Sequence, residues 1–226
     1  MSYFLAPQAL HAGDVVWLEG DEAAHILKSR RLRHGERLAL QDPGGARFSA
    51  ELVQAQRGRA QVRILEPQPI PALPPLGLAL AVACVKEKAL ELVLQKATEL
   101  GVASVHVFAS QHSPVAYDEL AAPRTLARWQ RIAGEASKQC GRQFPPSLAC
   151  WADLPALLRA GRLPQPGWVL HPDAPPAATL ERPVHEASVL VGPEGGFTPP
   201  ELEQLRAAGF PSVSLGHLVL RTETAA

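Results

Sequence analysis

The sequence predicts two domains of different class: a small β-barrel over residues 1–70 and an α/β domain over residues 78–226 built on a mostly parallel sheet. Three observations predict this. The stretch "EPQPIPALPPLG", residues 66–77, holds five prolines between two strand-like segments and favours an extended spacer, taken as residues 71–77. Before it, short strand-like runs recur between Gly, Pro and Asp breaks. After it, continuous apolar runs alternate with segments of helical period. At 226 residues and 46% hydrophobic content, the chain can bury a substantial core.

In the first domain, strands are expected at "DVVWLEG", "ERLALQD", "FSAELVQAQ" and "AQVRILE". A short helix interrupts them at "DEAAHILKSR", with Asp21 as its N-cap. In the second, "LGLALAVACV" is apolar without alternation, the pattern of a strand covered on both faces. The helix "EKALELVLQKATELG" follows: Leu90, Val93, Leu94, Ala97 and Leu100 recur at three- and four-residue steps, and Gly101 stops it. Further strands are expected at "SVHVFA", "GWVLH", "ASVLVG" and "SVSLG", and helices at "TLARWQRIAGEASKQ", "LPALLRA" and "PELEQLRAAG". Such alternation implies a parallel sheet with helices on both faces and ligands at the carboxyl ends of its strands.

Composition removes several function classes. Lys+Arg and Asp+Glu are both 22, so the whole molecule does not have the charge of a nucleic-acid binder. Local charge is uneven: "KSRRLRHGER", residues 28–37, carries five Lys/Arg against one Glu, and Arg57, Arg59 and Arg63 follow. Taken alone, each cluster reads more readily as a solvated face of a small sheet. Three cysteines without paired spacing argue against a disulfide framework or a Cys-type zinc site. The histidines show no HExxH-type pair and there is no GxSxG, so neither a metal nor a serine nucleophile is expected. No leader and no bilayer-length apolar run is present, and the expectation is a cytosolic protein without a membrane partner.

The segment "VLVGPEGGFTPPELEQL", residues 189–205, has the strand, glycine turn and helix layout of a nucleotide site. It lacks the Gly-Lys-Ser/Thr of a phosphate loop and the GxGxxG of a dinucleotide loop, and Glu194 would repel a di- or triphosphate. The same carboxylate suits a ligand with positive charge or N–H and hydroxyl donors. S-adenosylmethionine meets that description, with a sulfonium, an ammonium and no phosphate. A tight turn whose glycines supply positive φ, with Glu194 on free backbone N–H groups, explains "GPEGG" in isolation better.

The strings "LHPDA" (170–174), "VGPEGGFTPPE" (191–201) and "LGHLVLRTETA" (215–225), in that order, resemble the SPOUT methyltransferases and, within them, the RsmE family, which methylates N3 of a uridine in 16S ribosomal RNA. "LVLQKATELGV" (92–102) and "RWQRIAGEASKQCGR" (128–142) extend the likeness over nearly the whole chain. The resemblance implies a PUA-like N-terminal β-barrel that binds RNA and an α/β C-terminal domain with a deep trefoil knot. It also implies a homodimer acting on 16S rRNA within the small ribosomal subunit. The cofactor, S-adenosyl-L-methionine, would be held by Leu170, His171 and Pro172, by Gly192, Pro193, Glu194, Gly195 and Gly196, and by Leu215, Gly216, Leu218, Val219, Leu220 and Arg221, mostly through backbone groups.

Uridine N3 bears a proton at neutral pH, so its methylation requires that proton to leave or the developing anion to be stabilised. On that reading Arg221 is the candidate for negative charge on the uracil carbonyls or the adjacent phosphate. Glu194 orients the cofactor, helps to remove the proton, or only caps its loop. A target base in folded RNA must be splayed out, and Lys28, Arg30, Arg31, Arg33, Lys86 and Arg142 are the candidate RNA contacts. Arg128 and Arg131 are left as helix surface.

The chain departs from the family pattern at three places. "KEKA" stands where Lys-Gly-Asp-Lys/Arg is usual, with Ala89 at a cation. "SQHS" replaces Ser-Glu-Arg-Ser, with His112 at the arginine, and "GHLVLR" has Leu218 at the first arginine of Gly-Pro-Arg-Ile-Leu-Arg. The sequence ends at "TETAA", where the family pattern runs on into a last helix, so that helix is expected to be truncated or absent. Two rival readings are a knotted methyltransferase for another RNA and a non-catalytic RNA-binding or assembly protein that binds no S-adenosylmethionine.

Overall fold

Strand-forming runs near the N-terminus become a five-stranded sheet in the computed structural model, which describes residues 3–114, 117–177 and 184–226. The strands are β1 (Phe4–Leu5), β2 (Val15–Leu18), β3 (Arg37–Gln41), β4 (Arg47–Gln56) and β5 (Arg59–Pro67). Their order is β1-β3-β4-β5-β2, with β1 parallel to β3 and the remaining pairs antiparallel. Among the described residues the hydrogen-bonded ladder runs from β1 to β2 without closing. Register shifts in β4 between Phe48 and Ala50 and between Leu52 and Gln54 are the irregularities that bend and twist a long strand. The tight β4–β5 connection places Arg57 at φ 49° and Gly58 at φ 78°, the left-handed pair that a two-residue hairpin favours.

Alternate residues of β4 and β5, among them Ala50, Leu52, Val62 and Ile64, build the core of this unit. Ala23 and Ile26 complete it from α1 (Gly20–Ala24) and the π-turn His25–Ser29 that continues it. Asp21 is not the N-cap. Glu19 holds that position without a side-chain bond, and Asp21 lies inside the first turn, where its charge still favours the positive end of the helix.

The second unit opens with β6 (Gly77–Ala83), α2 (Glu87–Glu99), β7 (Ser104–Phe108), α3 (Tyr117–Leu120) and α4 (Pro123–Cys140). β8 (Ser147–Trp151), α5 (Leu154–Arg159), β9 (Gly167–Leu170), β10 (Glu186–Val191), α6 (Pro199–Ala207), β11 (Ser212–Val213) and α7 (Thr222–Ala225) follow. Six parallel strands lie in the order β11-β9-β10-β6-β7-β8. The apolar run of β6 is buried on both faces: Leu80 and Val82 belong to one core cluster, Ala81 and Ala83 to the other. α2 lays Leu90, Val93, Leu94 and Ala97 into the first cluster. Leu100 does not join them. It is the C-cap, 72% exposed, beyond the last turn that the apolar stripe can bury.

The two units are not contiguous in sequence. The first comprises Met1–Ala72 with Ser137–Phe144, and the second Leu73–Ala136 with Pro145–Ala226. Within the first, Arg47 is 6% exposed and its Nη1 donates to the Gly141 carbonyl at 3.0 Å. Its Nη2 donates to Gln41 Oε1 at 2.7 Å and to the Arg142 carbonyl at 3.4 Å. The Tyr3 hydroxyl donates to the same Arg142 carbonyl at 2.8 Å, and the guanidinium lies 4.0 Å from the centre of the Tyr3 ring.

Candidate functional site

Three segments leave the carboxyl ends of three neighbouring parallel strands, the edge at which open α/β sheets bind ligands. His171 and Pro172 follow β9, residues 192–196 follow β10, and residues 215–221 come after β11. Together with the N-terminal end of α2 they surround a cleft of about 1000 Å³. All the residues that the sequence grouped around a cofactor line it: Leu170, His171, Pro172, Gly192, Pro193, Glu194, Gly195, Gly196, Leu215, Gly216, Leu218, Val219, Leu220 and Arg221. Lys86 lines it too, and so do residues that sequence reasoning missed: Lys88, Leu92, Asp173, Phe197 and Glu223. Lys88 had a signal in the sequence, since it stands beside Ala89, where a cation was missing.

The loop after β10 is built for backbone recognition. Gly196 sits at φ 70°, a conformation that an L side chain disfavours, and its N–H closes the turn onto the Pro193 carbonyl at 2.9 Å. A Cβ on Gly195 would lie 3.0 Å from His112 Cβ, so a side chain there would meet the turn after β7. The N–H groups of Gly195 and Phe197 have no partner among the described residues. Thr198 then caps α6 in a full capping box with Glu201. The C-terminal segment returns across this loop: Thr222 Oγ1 donates to the Gly192 carbonyl at 3.2 Å, and α7 contacts α2.

Charge in the cleft is mixed. Glu194 is exposed, with no hydrogen bond or ion pair among the described residues, and the carboxylates of Asp173 and Glu223 also line the walls. The Arg221 side chain is 85% exposed and, among the described residues, reaches only Glu223, at 3.9 Å. Lys86 and Lys88 are exposed and unpaired among the described residues. Just upstream, burial pushes the Cys84 thiol up to about 12, which keeps it protonated at neutral pH. The volume suffices for a nucleoside-sized cofactor, and Asp173, Glu194 and Glu223 offer carboxylates to a positively charged group on it.

In the first unit, Lys28, Arg30, Arg31 and Arg33 are exposed around the end of the π-turn, with Arg31 at φ 54°. Arg142 is a correction. It is 6% exposed, its Nε donates to the Phe144 carbonyl at 2.6 Å, and burial holds its pKa below the usual guanidinium range. An arginine so enclosed is not a surface cation for RNA. Arg128 is helix surface paired with Glu87 and Glu91.

Comparison with known proteins matches residues 73–226 to the family described as RNA methyltransferase domain and residues 18–65 to RNA methyltransferase PUA domain. The ribosomal RNA small subunit methyltransferase E of Mycobacterium tuberculosis is 32% identical over 226 residues, covering 95% of this chain and 84% of the relative. That of Bacillus subtilis is 26% identical over 98% of this chain and 90% of its own length. Among solved structures, a Legionella pneumophila methyltransferase in complex with S-adenosylmethionine superposes with TM-score 0.87 at 29% identity, covering 99% of this chain and 92% of the other. A Neisseria gonorrhoeae ribosomal RNA small subunit methyltransferase E bound to S-adenosylmethionine gives 0.85 at 31% identity over 100% and 93%.

Proposed function

The chain belongs to the ribosomal RNA small subunit methyltransferase E family, and from that membership we propose that it methylates 16S ribosomal RNA of the small subunit at uridine N3, with S-adenosylmethionine as donor. The observation that carries the reading is the convergence of three strand-end loops on one cleft whose free carboxylate, Glu194, disfavours phosphate and suits a cation. When bound, S-adenosylmethionine supplies a methyl group on a positive sulfur. The cleft's backbone N–H groups, with Leu170, Pro172 and the apolar residues 218–220, would hold its nucleoside part.

The chain's own residues then do the remaining work. Arg221, in water at the rim, stabilises negative charge on the uracil carbonyls or grips the neighbouring phosphate. Glu194 orients the sulfonium side of the site or accepts the N3 proton. Lys86, with Lys28, Arg30, Arg31 and Arg33 of the PUA-like unit over residues 1–70, contacts the RNA backbone, which positions without specifying. A deep trefoil knot in residues 78–226, which the family resemblance implies, belongs to the same reading. The exposed Leu218 and Val219 support a homodimer, acting in the cytoplasm on 16S rRNA within the small ribosomal subunit.

Small subunits from a strain lacking the protein, incubated with the purified chain and labelled S-adenosylmethionine, test this. The label is expected at N3 of a single 16S uridine. Label on a different RNA would replace the substrate assignment, and cofactor binding with no transfer to any RNA would remove the enzymatic one.

A further inference from the structure

The turn after β7 grips the cofactor loop through one side chain. Nδ1 of His112 lies 3.1 Å from the Gly195 carbonyl oxygen and 3.2 Å from that of Gly196. Carbonyl oxygens only accept, so Nδ1 carries the proton and donates to both. The turn that presents the ring is itself anchored. The Gln111 N–H donates to Glu201 Oε1 at 3.0 Å, and the Ser110 N–H donates to Ser113 Oγ at 3.0 Å. Glu201 is 9% exposed, and its other oxygen accepts from the Thr198 N–H at 2.8 Å and the Thr198 hydroxyl at 2.9 Å. One carboxylate thus ties the His112 turn to the start of α6.

Gly195 and Gly196 have no side chain to restrain their peptide planes, so rotation of those planes meets little steric resistance. A trans peptide is planar, with C=O and N–H on opposite sides. The hydrogen bond from His112 to the Gly196 carbonyl therefore aims the Phe197 N–H the other way, and the bond to Gly195 sets the plane next to it. The Phe197 N–H is one of the loop's two unpaired donors, and Phe197 lines the cleft while His112 does not.

We propose that His112 is a positioning residue that holds the Gly195 and Gly196 carbonyls in the orientation at which the free Phe197 N–H serves an acceptor on S-adenosylmethionine. The inference rests on the functional reading above and adds to it a side chain outside the cleft that sets cofactor affinity through the loop. It also assigns a task to the histidine that departs from the family pattern.

Two substitutions separate the hydrogen bond from the bulk of the ring. In His112→Asn the amide nitrogen stands at the same remove from the backbone as Nδ1, so a donor is kept; His112→Phe keeps a ring without one. Calorimetric titration of the full chain with S-adenosylmethionine is expected to show about tenfold weaker binding for His112→Phe and recovery to within about threefold of wild type for His112→Asn. In the methylation assay, the Phe variant should raise KM for the cofactor with kcat largely kept. Equal affinity of both variants and wild type would overturn the proposal, as would an Asn variant as weak as the Phe variant. A wild-type chain that binds no S-adenosylmethionine would instead refute the functional reading itself.

Discussion

Arg47 in the first unit and the cations around the cleft in the second are chemically alike and placed in opposite ways. Arg47 is enclosed, with donors on Gln41 Oε1 and on two backbone carbonyls, and burial lowers its pKa. At the cleft, Lys86 and Lys88 have no partner among the described residues, and Arg221 meets one carboxylate at the limit of ion-pair distance. A guanidinium whose hydrogen bonds end on the chain's own carbonyls is a strut. A cation left in water beside a concave site still has its donors to offer. The contrast separates structural from ligand-directed charge in a protein whose net charge is zero.

The sharpest way to break that comparison is to remove one member of each kind. Arg221→Ala is expected to lower turnover by at least about a hundredfold while changing S-adenosylmethionine affinity less than about threefold, measured by methylation assay and calorimetry. Retained turnover would return Arg221 to ordinary surface. Arg47→Met should do the reverse, costing about 2–4 kcal/mol of stability in urea unfolding because carbonyl acceptors stay buried without their donor. A stable variant with weakened RNA binding would place Arg47 among the functional cations. Lys86→Ala and Lys88→Ala are expected to weaken RNA binding a few-fold, each lowering the salt slope by about one, with unfolding unchanged.

The smallest expected effect concerns a buried polar group that carries no charge. His106 is 6% exposed, accepts at Nδ1 from Trp151 Nε1 at 3.2 Å and pairs through Nε2 with Ser104 Oγ at 3.1 Å. Burial first, then the positive charge of Arg162, holds its pKa below the ordinary histidine range. The unfolded chain therefore takes up the proton first. The stability present above the ordinary range is lost as pH falls through it toward the folded value. Urea midpoints from about pH 7.5 to about pH 5 should decline in wild type and decline less in His106→Leu.

What the sequence made legible was local. Leu80 and Val82 against Ala81 and Ala83 divide between two cores because an unbroken apolar run fits a strand with both faces covered. The three strings at 170–172, 192–196 and 215–221 meet at one cleft because each follows a strand of the same parallel sheet. The unread features depend on partners far along the chain. "QCGR" looks like a basic loop, and it is enclosed with the help of the Tyr3 and Arg47 donors, which reach the Arg142 carbonyl from 139 and 95 residues away. The contact of His112 with the cofactor loop spans 83 residues and leaves no trace in its own surroundings. β8, "SLACW", was missed because it stands at the sheet edge with only partly covered side chains and no clear alternation.

The same long separations bear on how the protein is made. A chain leaves the ribosome N-terminus first, at about 5–20 residues per second. The first unit's sheet can pair once β5 has emerged, but the carbonyls of Gly141 and Arg142 arrive only after β6, α2, β7, α3 and α4 have been translated. Until then Arg47 and Tyr3 face a gap that only later synthesis fills. The N-terminal unit is therefore begun first, yet it is completed only after the second unit is well under way.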